Sequence, residues 1–181
     1  MKERIEGILR HRKKEKITGQ NLKASAVLIP IFRNRGQYHV LFTERSDEVV
    51  FHKGQVCFPG GTQEPSDSSL LQTALREAEE EIGLEAKDIE IVGELDDMLT
   101  FVTNYVISPF VAFIPHPHSL KTDGREVKGT FSVPLSFLMD EANFKQDSYA
   151  YEYEGHIIWG VTARILRQLV SLLKSESGTP K

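Results

Sequence analysis

Cysteine is almost absent from this chain: Cys57 stands alone in 181 residues. An internal disulfide is therefore excluded, and no Cys/His spacing resembles a zinc site. Long apolar runs are also missing, and nothing approaches the roughly 18 consecutive apolar residues of a membrane-spanning helix. Met1 to Lys16 mixes charges of both signs where a secretory leader would carry an apolar core. Gly178-Thr179-Pro180-Lys181 matches no familiar prenylation or peroxisomal signal. The expected location is cytoplasmic, with no membrane partner. Positive charge is in deficit, since 22 Lys and Arg face 26 Asp and Glu for a net charge of −4. With no ribbon of interleaved basic and aromatic residues either, nucleic acid is not an expected partner. Any phosphate-bearing substrate must meet positive charge supplied locally. The one dense basic run, Arg10 to Lys14, is flanked by Glu6 and Glu15 and reads as a solvated helix face.

What the chain does have is 40% hydrophobic and 27% charged residues, the balance of one globular domain with a buried core. Residues 3–17 space Ile5, Ile8, Leu9 and Ile17 as a weakly amphipathic helix. Apolar, β-branched runs predict strands at Ala24–Phe32, Tyr38–Glu44, Ile89–Leu95, Val106–Ile114 and Gly129–Val133, with a strand pair across Tyr149–Ile158. Pro30 inside the first strand requires a missing partner or a bulge on one side. Leu71, Ala74, Leu75, Ala78 and Ile82 recur at helical steps over Ser68–Ile82, with Asp67 as the expected cap and Gly83 as the left-handed stop. A closing helix spans about Val161–Leu173. The expected organisation is residues 1–22 as a helix and linker packed on the domain, 23–174 as the domain itself, and 175–181 as a flexible tail.

Chemistry concentrates in Arg76-Glu77-Ala78-Glu79-Glu80-Glu81-Ile82-Gly83-Leu84. On a helix Glu77, Glu80 and Glu81 share one face while Glu79 turns away. Acids so close repel, and a helix gains nothing from gathering them unless a cation compensates. Oxygen-only ligands suit a hard divalent ion, Mg2+ or Mn2+. Taken alone, an acidic triplet is more often a solvated surface face. Here the apolar stripe pins the other side of the helix to a core, Arg76 can reach Glu80 one turn on, and Phe58-Pro59-Gly60-Gly61 lies just upstream. Two glycines after a proline allow close backbone approach to a ligand, or simply a tight turn.

Gly61, an acid six residues on, and the run from Arg76 to Leu84 resemble the Nudix box, Gly-x5-Glu-x7-Arg-Glu-U-x-Glu-Glu-x-Gly-U with U aliphatic. Two departures stand out: the middle acid is Asp67, and eight residues rather than seven separate it from Arg76. The likeness extends from about Ala24 to Leu169. Leu41-Phe42-Thr43-Glu44-Arg45-Ser46, His52 to Gly61, Thr73 to Glu77, Val133-Pro134-Leu135 and Ile158 to Ala163 resemble the Nudix subgroup that hydrolyses coenzyme A and its acyl derivatives. That subgroup usually has leucine or methionine at Phe42 and arginine at Val50.

The resemblance implies an α+β fold, an α/β/α sandwich in which a mixed curved sheet lies between helices. It also implies a metal-dependent hydrolase that splits a diphosphate linkage of coenzyme A or acyl-CoA, releasing phosphopantetheine and adenosine 3',5'-bisphosphate. Glu77, Glu80 and Glu81, with the Gly61 carbonyl, would hold Mg2+ or Mn2+; Arg76 would orient Glu80. The general base would come from the box or a later loop, where Glu126 is the candidate, although an ordinary exposed acid is an equal reading. Arg45 and Lys53 are placed to meet phosphate. Trp159 and Tyr153 offer rings for adenine, with core packing the simpler reading for Trp159. His52, His116 and His118 read as loop residues, and Cys57 as a small buried hydrophobe. The partner is a small nucleotide-type molecule, and a homodimer is admitted. Three other readings stand beside this one: an ADP-ribose or nucleotide pyrophosphatase, a prenyl diphosphate isomerase needing a reactive cysteine, and a non-catalytic ligand-binding module.

Overall fold

In the computed structural model, which describes residues 1–46, 54–100, 103–116, 120–122 and 124–175, the apolar run of the first strand becomes the spine of the molecule. Strand β1 (Lys23–Asn34) alternates its side chains: Ala26, Leu28 and Phe32 enter one buried cluster, Ile29 and Ile31 another on the opposite face. A strand apolar on both sides must be covered on both sides. Strand β2 (Gln37–Arg45) returns antiparallel through the Asn34-Arg35-Gly36 turn, and β3 (Val56–Cys57) and β4 (Gly60–Thr62) follow. Helix α2 (Leu70–Ile82) leads on to β5 (Glu90–Glu94), β6 (Met98–Leu99), β7 (Tyr105–Phe113) and β8 (Val127–Pro134). The hydrogen-bonded order is β3-β2-β1-β7-β5, with β4 added to β1, β6 to β7 and β8 to β2. The β1–β7 pair is parallel and the others antiparallel, so the sheet is mixed.

Pro30 falls where β1 changes partner. β4 pairs with β1 through Val27 and β2 pairs from Ile31. The Leu28 N–H donates to the Pro59 carbonyl on that edge, and alternation turns the donor-less Pro30 nitrogen the same way, into the gap between the two partners.

Helix α2 covers one face of the sheet through Ala74, Ala78 and Ile82. On the other face lie α1 (Lys2–Arg10) and α4 (Gly160–Ser175), with Ile5, Ile8, Leu9, Ile165, Leu166, Leu169 and Val170 buried. Each such aliphatic side chain contributes about 1.5–3 kcal/mol of gross burial energy. Between β8 and α4 run α3 (Leu135–Met139) and a small antiparallel sheet of β9 (Phe144–Lys145), β10 (Ala150–Tyr153) and β11 (His156–Ile158). The expected α/β/α sandwich is present. No helix among the described residues is long and apolar enough to cross a membrane.

The N-terminal reading needs correction. The helix stops at Arg10 instead of reaching residue 17, and the segment after it is extended along the β5–β6 connection. Nor is the basic run a solvated helix face. Arg12 pairs with Asp96, and Lys14 lies 2.7 Å from Asp97 and 2.9 Å from Glu94 with its side chain only 10% exposed. Asp97 also accepts from Ser108 Oγ at 2.6 Å and the Ile17 N–H at 3.0 Å. Long-range carboxylates thus outcompeted helix continuation.

Candidate functional site

Strand β4 brings its glycines against the flank of α2. A Cβ at Gly60 would overlap the Ala26 carbonyl and the Val27 backbone, and a Cβ at Gly61 would overlap the Glu77 carboxylate. Only glycine lets β1, β4 and α2 approach this closely. The Gly60 N–H donates to Glu81 Oε2 at 3.1 Å, so backbone and helix are tied at the point where the acids emerge.

Helix α2 is placed by its own ends. Ser69, not Asp67, is the cap: its Oγ accepts from the Gln72 N–H at 3.2 Å. Gly83 closes the helix at φ +68 and donates to Glu79 O. Asp67 instead holds Arg76, accepting from Nε at 3.1 Å and Nη2 at 3.0 Å, and takes the Glu64 N–H and the Thr73 hydroxyl as well. These contacts, the Arg76 guanidinium foremost, lower its carboxyl to about 2. The sequence offered no signal for this pairing, because the partners stand nine positions apart and the box pattern places a glutamate there.

The three glutamates share a side of α2 but not an environment. Glu81 is buried, Glu77 half-buried and Glu80 exposed. Burial pushes the Glu81 carboxyl up to about 8, against the pull of the Gly60 N–H, with the nearby Glu77 charge adding to the rise. Burial likewise raises Glu77, opposed by Arg76. Arg76 Nη1 donates at 3.0 Å to both Glu77 Oε1 and Glu80 Oε2. Among the described residues no three His, Cys, Asp or Glu side chains form a ready cation cage. Glu77 and Glu80 are drawn instead to the one guanidinium.

Two residues, one at the end of β2 and one just before β8, complete the group. Arg45, at the end of β2, lies 3.8 Å from Glu126, and the Ser46 N–H donates to the Glu126 carbonyl at 2.8 Å. The charges of Arg45 and Glu126 both reach Glu81. The structure therefore brings Gly61, Arg76, Glu77, Glu80, Glu81, Arg45 and Glu126 to one region. Lys53, His52 and Val50 lie outside the described residues, as does His118.

The remaining candidates have surroundings of their own. Trp159 is 50% exposed, which overturns the core-packing reading. It follows directly on β11, where the apolar neighbours that suggested burial alternate in and out: Ile158 is buried, Ile157 52% exposed. Tyr153 packs edge-on against Phe137 at 4.8 Å, and His116 lies edge-on to Phe32. Burial raises the Cys57 thiol, which hydrogen-bonds with Thr43 Oγ1, so it is no activated nucleophile.

A mixed sheet between helices, with a glycine pair pressed on a helix whose acids range from buried to exposed, defines an α+β domain with an acidic loop-helix-loop site. The model of the NUDIX domain matches residues 22–151. The chain is 36% identical over 159 residues to the protein described as uncharacterized Nudix hydrolase NudL of Photorhabdus laumondii, an overlap of 82% of this chain and 84% of that one. It is 37% identical, over 82% of its length and 80% of the relative's, to the Yersinia enterocolitica protein of the same description. The protein belongs to the Nudix hydrolase family, pyrophosphohydrolases of nucleoside diphosphate derivatives that generally use divalent metal ions. Solved structures share the fold. A Caenorhabditis elegans Ap4A hydrolase binary complex aligns with TM-score 0.60 at 16% identity, covering 85% of this chain and 99% of that one. The NUDIX domain of Shewanella oneidensis NrtR, complexed with ADP ribose, aligns with TM-score 0.56 at 15% identity, covering 89% and 91%.

Proposed function

We propose that this enzyme hydrolyses the diphosphate linkage of coenzyme A or acyl-CoA, giving phosphopantetheine and adenosine 3',5'-bisphosphate. The observation that carries a site at α2 is the contact of the Gly60-Gly61 backbone with the Glu77 and Glu81 carboxylates, the Glu77 part of which a single Cβ at Gly61 would break. Support for the substrate comes from the residues around Phe42-Thr43-Glu44-Arg45, His52 to Gly61 and Trp159-Gly160-Val161-Thr162 that resemble the coenzyme A subgroup. The hydrolase unit on this reading is residues 23–174, with 1–22 packed on it and 175–181 as a tail. It works in the cytoplasm on a small nucleotide-type partner, with a homodimer as the assembly to seek by light scattering.

The residues fit a hard divalent cation. Glu81 is 4% exposed and raised to about 8, which a nearby positive charge would offset. The acids beside it and the Gly61 carbonyl offer oxygen ligands. Glu77, Glu80, Glu81 and the Gly61 carbonyl would hold Mg2+ or Mn2+. When bound, the ion neutralises diphosphate charge and makes a coordinated water more acidic. Arg76, fixed by Asp67, keeps Glu77 and Glu80 turned toward one another. Arg45 supplies positive charge beside Glu81 for a phosphate oxygen, and Lys53 is assigned the same task from the loop before the box. Glu126 accepts the proton of the attacking water.

The test is incubation with coenzyme A, ADP-ribose and a nucleotide panel, with and without Mg2+ or Mn2+, with products identified by mass and Glu81→Gln as control. Metal-dependent release of phosphopantetheine that needs Glu81 supports the reading. Cleavage of ADP-ribose or another nucleotide instead moves the substrate. Binding without turnover by folded protein replaces the enzyme with a ligand-binding module.

A further inference from the structure

Arg45 and Glu126 are held opposite one another by their backbones more than by their side chains. Arg45 ends β2, where the pairing with β8 shifts register between Glu44 and Arg45. Such an irregularity re-aims the side chain beside it. The Arg45 N–H donates to Gln55 O at 3.0 Å and the Arg45 carbonyl accepts from the Gly54 N–H at 3.2 Å, while the next residue, Ser46, donates to Glu126 O at 2.8 Å. With both backbones tied, only rotamers can change the separation of the two charges. That separation is 3.8 Å, from Arg45 Nη2 to Glu126 Oε2, which is an attraction but not a hydrogen bond. The guanidinium is thus left unsatisfied, and its Nε is buried with no hydrogen-bond partner among the described residues. The two side chains also differ in mobility. Arg45 is 26% exposed and Glu126 58%, so the carboxylate can turn into water while the guanidinium stays in place. Glu81, raised first by burial, also feels this pair: the Arg45 charge lowers it and the Glu126 charge raises it. One cation therefore serves two carboxylates.

From this geometry we propose that Glu126 is an internal competitor for Arg45, holding the guanidinium until a substrate phosphate displaces it. The inference rests on the reading of Arg45 as a phosphate contact. A phosphate oxygen that reaches Arg45 makes a charge-assisted hydrogen bond, which a carboxylate at 3.8 Å does not. The exchange needs no movement of β2 or β8. It needs only a rotation of the exposed Glu126 side chain, a motion of the picosecond-to-nanosecond class. The carboxylate assigned to accept a proton thus changes partner only when substrate is present. An exposed ion pair contributes little, so the competition weakens phosphate binding by no more than a few-fold.

The experiment is a calorimetric titration of the full-length protein with ADP in metal-free buffer, on wild type, Glu126→Gln, Arg45→Gln and the double variant, each checked by thermal melting. Glu126→Gln should bind ADP about three- to fivefold more tightly than wild type, and the gain should shrink as salt rises. Arg45→Gln should bind about tenfold more weakly. In the Arg45→Gln background the Glu126 substitution should change nothing, because no guanidinium is left to contest. If Arg45→Gln does not fold, Arg45→Lys takes its place in the cycle, with a smaller gain expected. Equal tightening with and without Arg45 would mean that Glu126 repels any nearby anion, which overturns the proposal. So would unchanged or weaker binding by Glu126→Gln while Arg45→Gln still loses affinity, an outcome that leaves the reading of Arg45 intact. Wild-type affinity in Arg45→Gln would instead remove Arg45 from the phosphate, and the competition with it.

Discussion

Asp67 grips Arg76 at two points, Oδ1 on Nε and Oδ2 on Nη2, from the side opposite Glu80. The guanidinium is thereby fixed before it meets Glu77 and Glu80, and a cation that would otherwise swing with the solvent becomes part of the frame. The shorter carboxylate at position 67 therefore has a positioning task in place of the capping task its place before the helix suggested.

The pair should show itself in acid. Asp67 is held at about 2 against an ordinary 3.8. Its contribution is full above the unfolded value and disappears as pH falls through the folded one. Thermal melts of wild type and Asp67→Asn should differ most above about pH 4 and converge near pH 2. A gap of the same size at both ends would sink the assignment.

Gly60→Ala and Gly61→Ala should separate folding from activity. At Gly60 the new methyl meets backbone, which cannot move cheaply, and a loss of about 1–3 kcal/mol is expected in urea unfolding. At Gly61 it meets the end of the Glu77 side chain, which can turn aside. That variant should melt within a few degrees of wild type yet lose about 100-fold in turnover, because the carboxylate is displaced. Equal effects at both positions would contradict the contact described.

Glu81→Gln should lose about 10³-fold or more in kcat, with little change in folding. The amide is nearly the same size and can still accept from the Gly60 N–H, but it cannot ionise to hold a cation as the carboxylate does. Circular dichroism and product assays on the same preparation are the check; loss of the fold would mean that Glu81 is structural first.

Asp97→Ala should release the segment that follows α1. Asp97 and Lys14 are 7% and 10% exposed, and removing Asp97 leaves the enclosed ammonium with the more exposed Glu94 as its partner and strips Ser108 and Ile17 of their acceptor, at a cost of about 2–4 kcal/mol. Hydrogen exchange should rise at Ile17, whose N–H donates to Asp97. Unchanged protection there would show that the segment is held by other contacts.

Trp159→Ala should leave stability within about 0.5 kcal/mol, since the ring is 50% exposed. Substrate KM is the measurement to pair with it: a rise at constant stability would give the ring a role in binding.

The long periodic elements were legible because their pattern is local. β1, β2, β7, α2 and α4 each carry an apolar repeat longer than any competing signal. The short strands β3, β4, β6 and β9, of two or three residues, exist only through their partners and have no repeat to read. The end of α1 was misread for the same reason, as Asp96 and Asp97 stop it from some eighty residues away. Within the site, the helical period was enough to align Glu77, Glu80 and Glu81. It could not show that one would be buried and another exposed, which depends on β4 lying against Glu77 and Glu81 and leaving Glu80 to solvent.

The change of partner at Pro30 has an engineering consequence. Below it β1 belongs to β4 and the glutamate helix; above it β1 belongs to β2. The chain that leaves β2 at Arg45 rejoins at Gln55, and a narrow neck closes there: the Arg45 N–H donates to Gln55 O at 3.0 Å and the Gly54 N–H to Arg45 O at 3.2 Å. Because backbone groups form this neck, side chains at Arg45 and Gln55 can be exchanged in the search for a new substrate preference without untying the chain that goes on to carry Gly60 and Gly61 against α2.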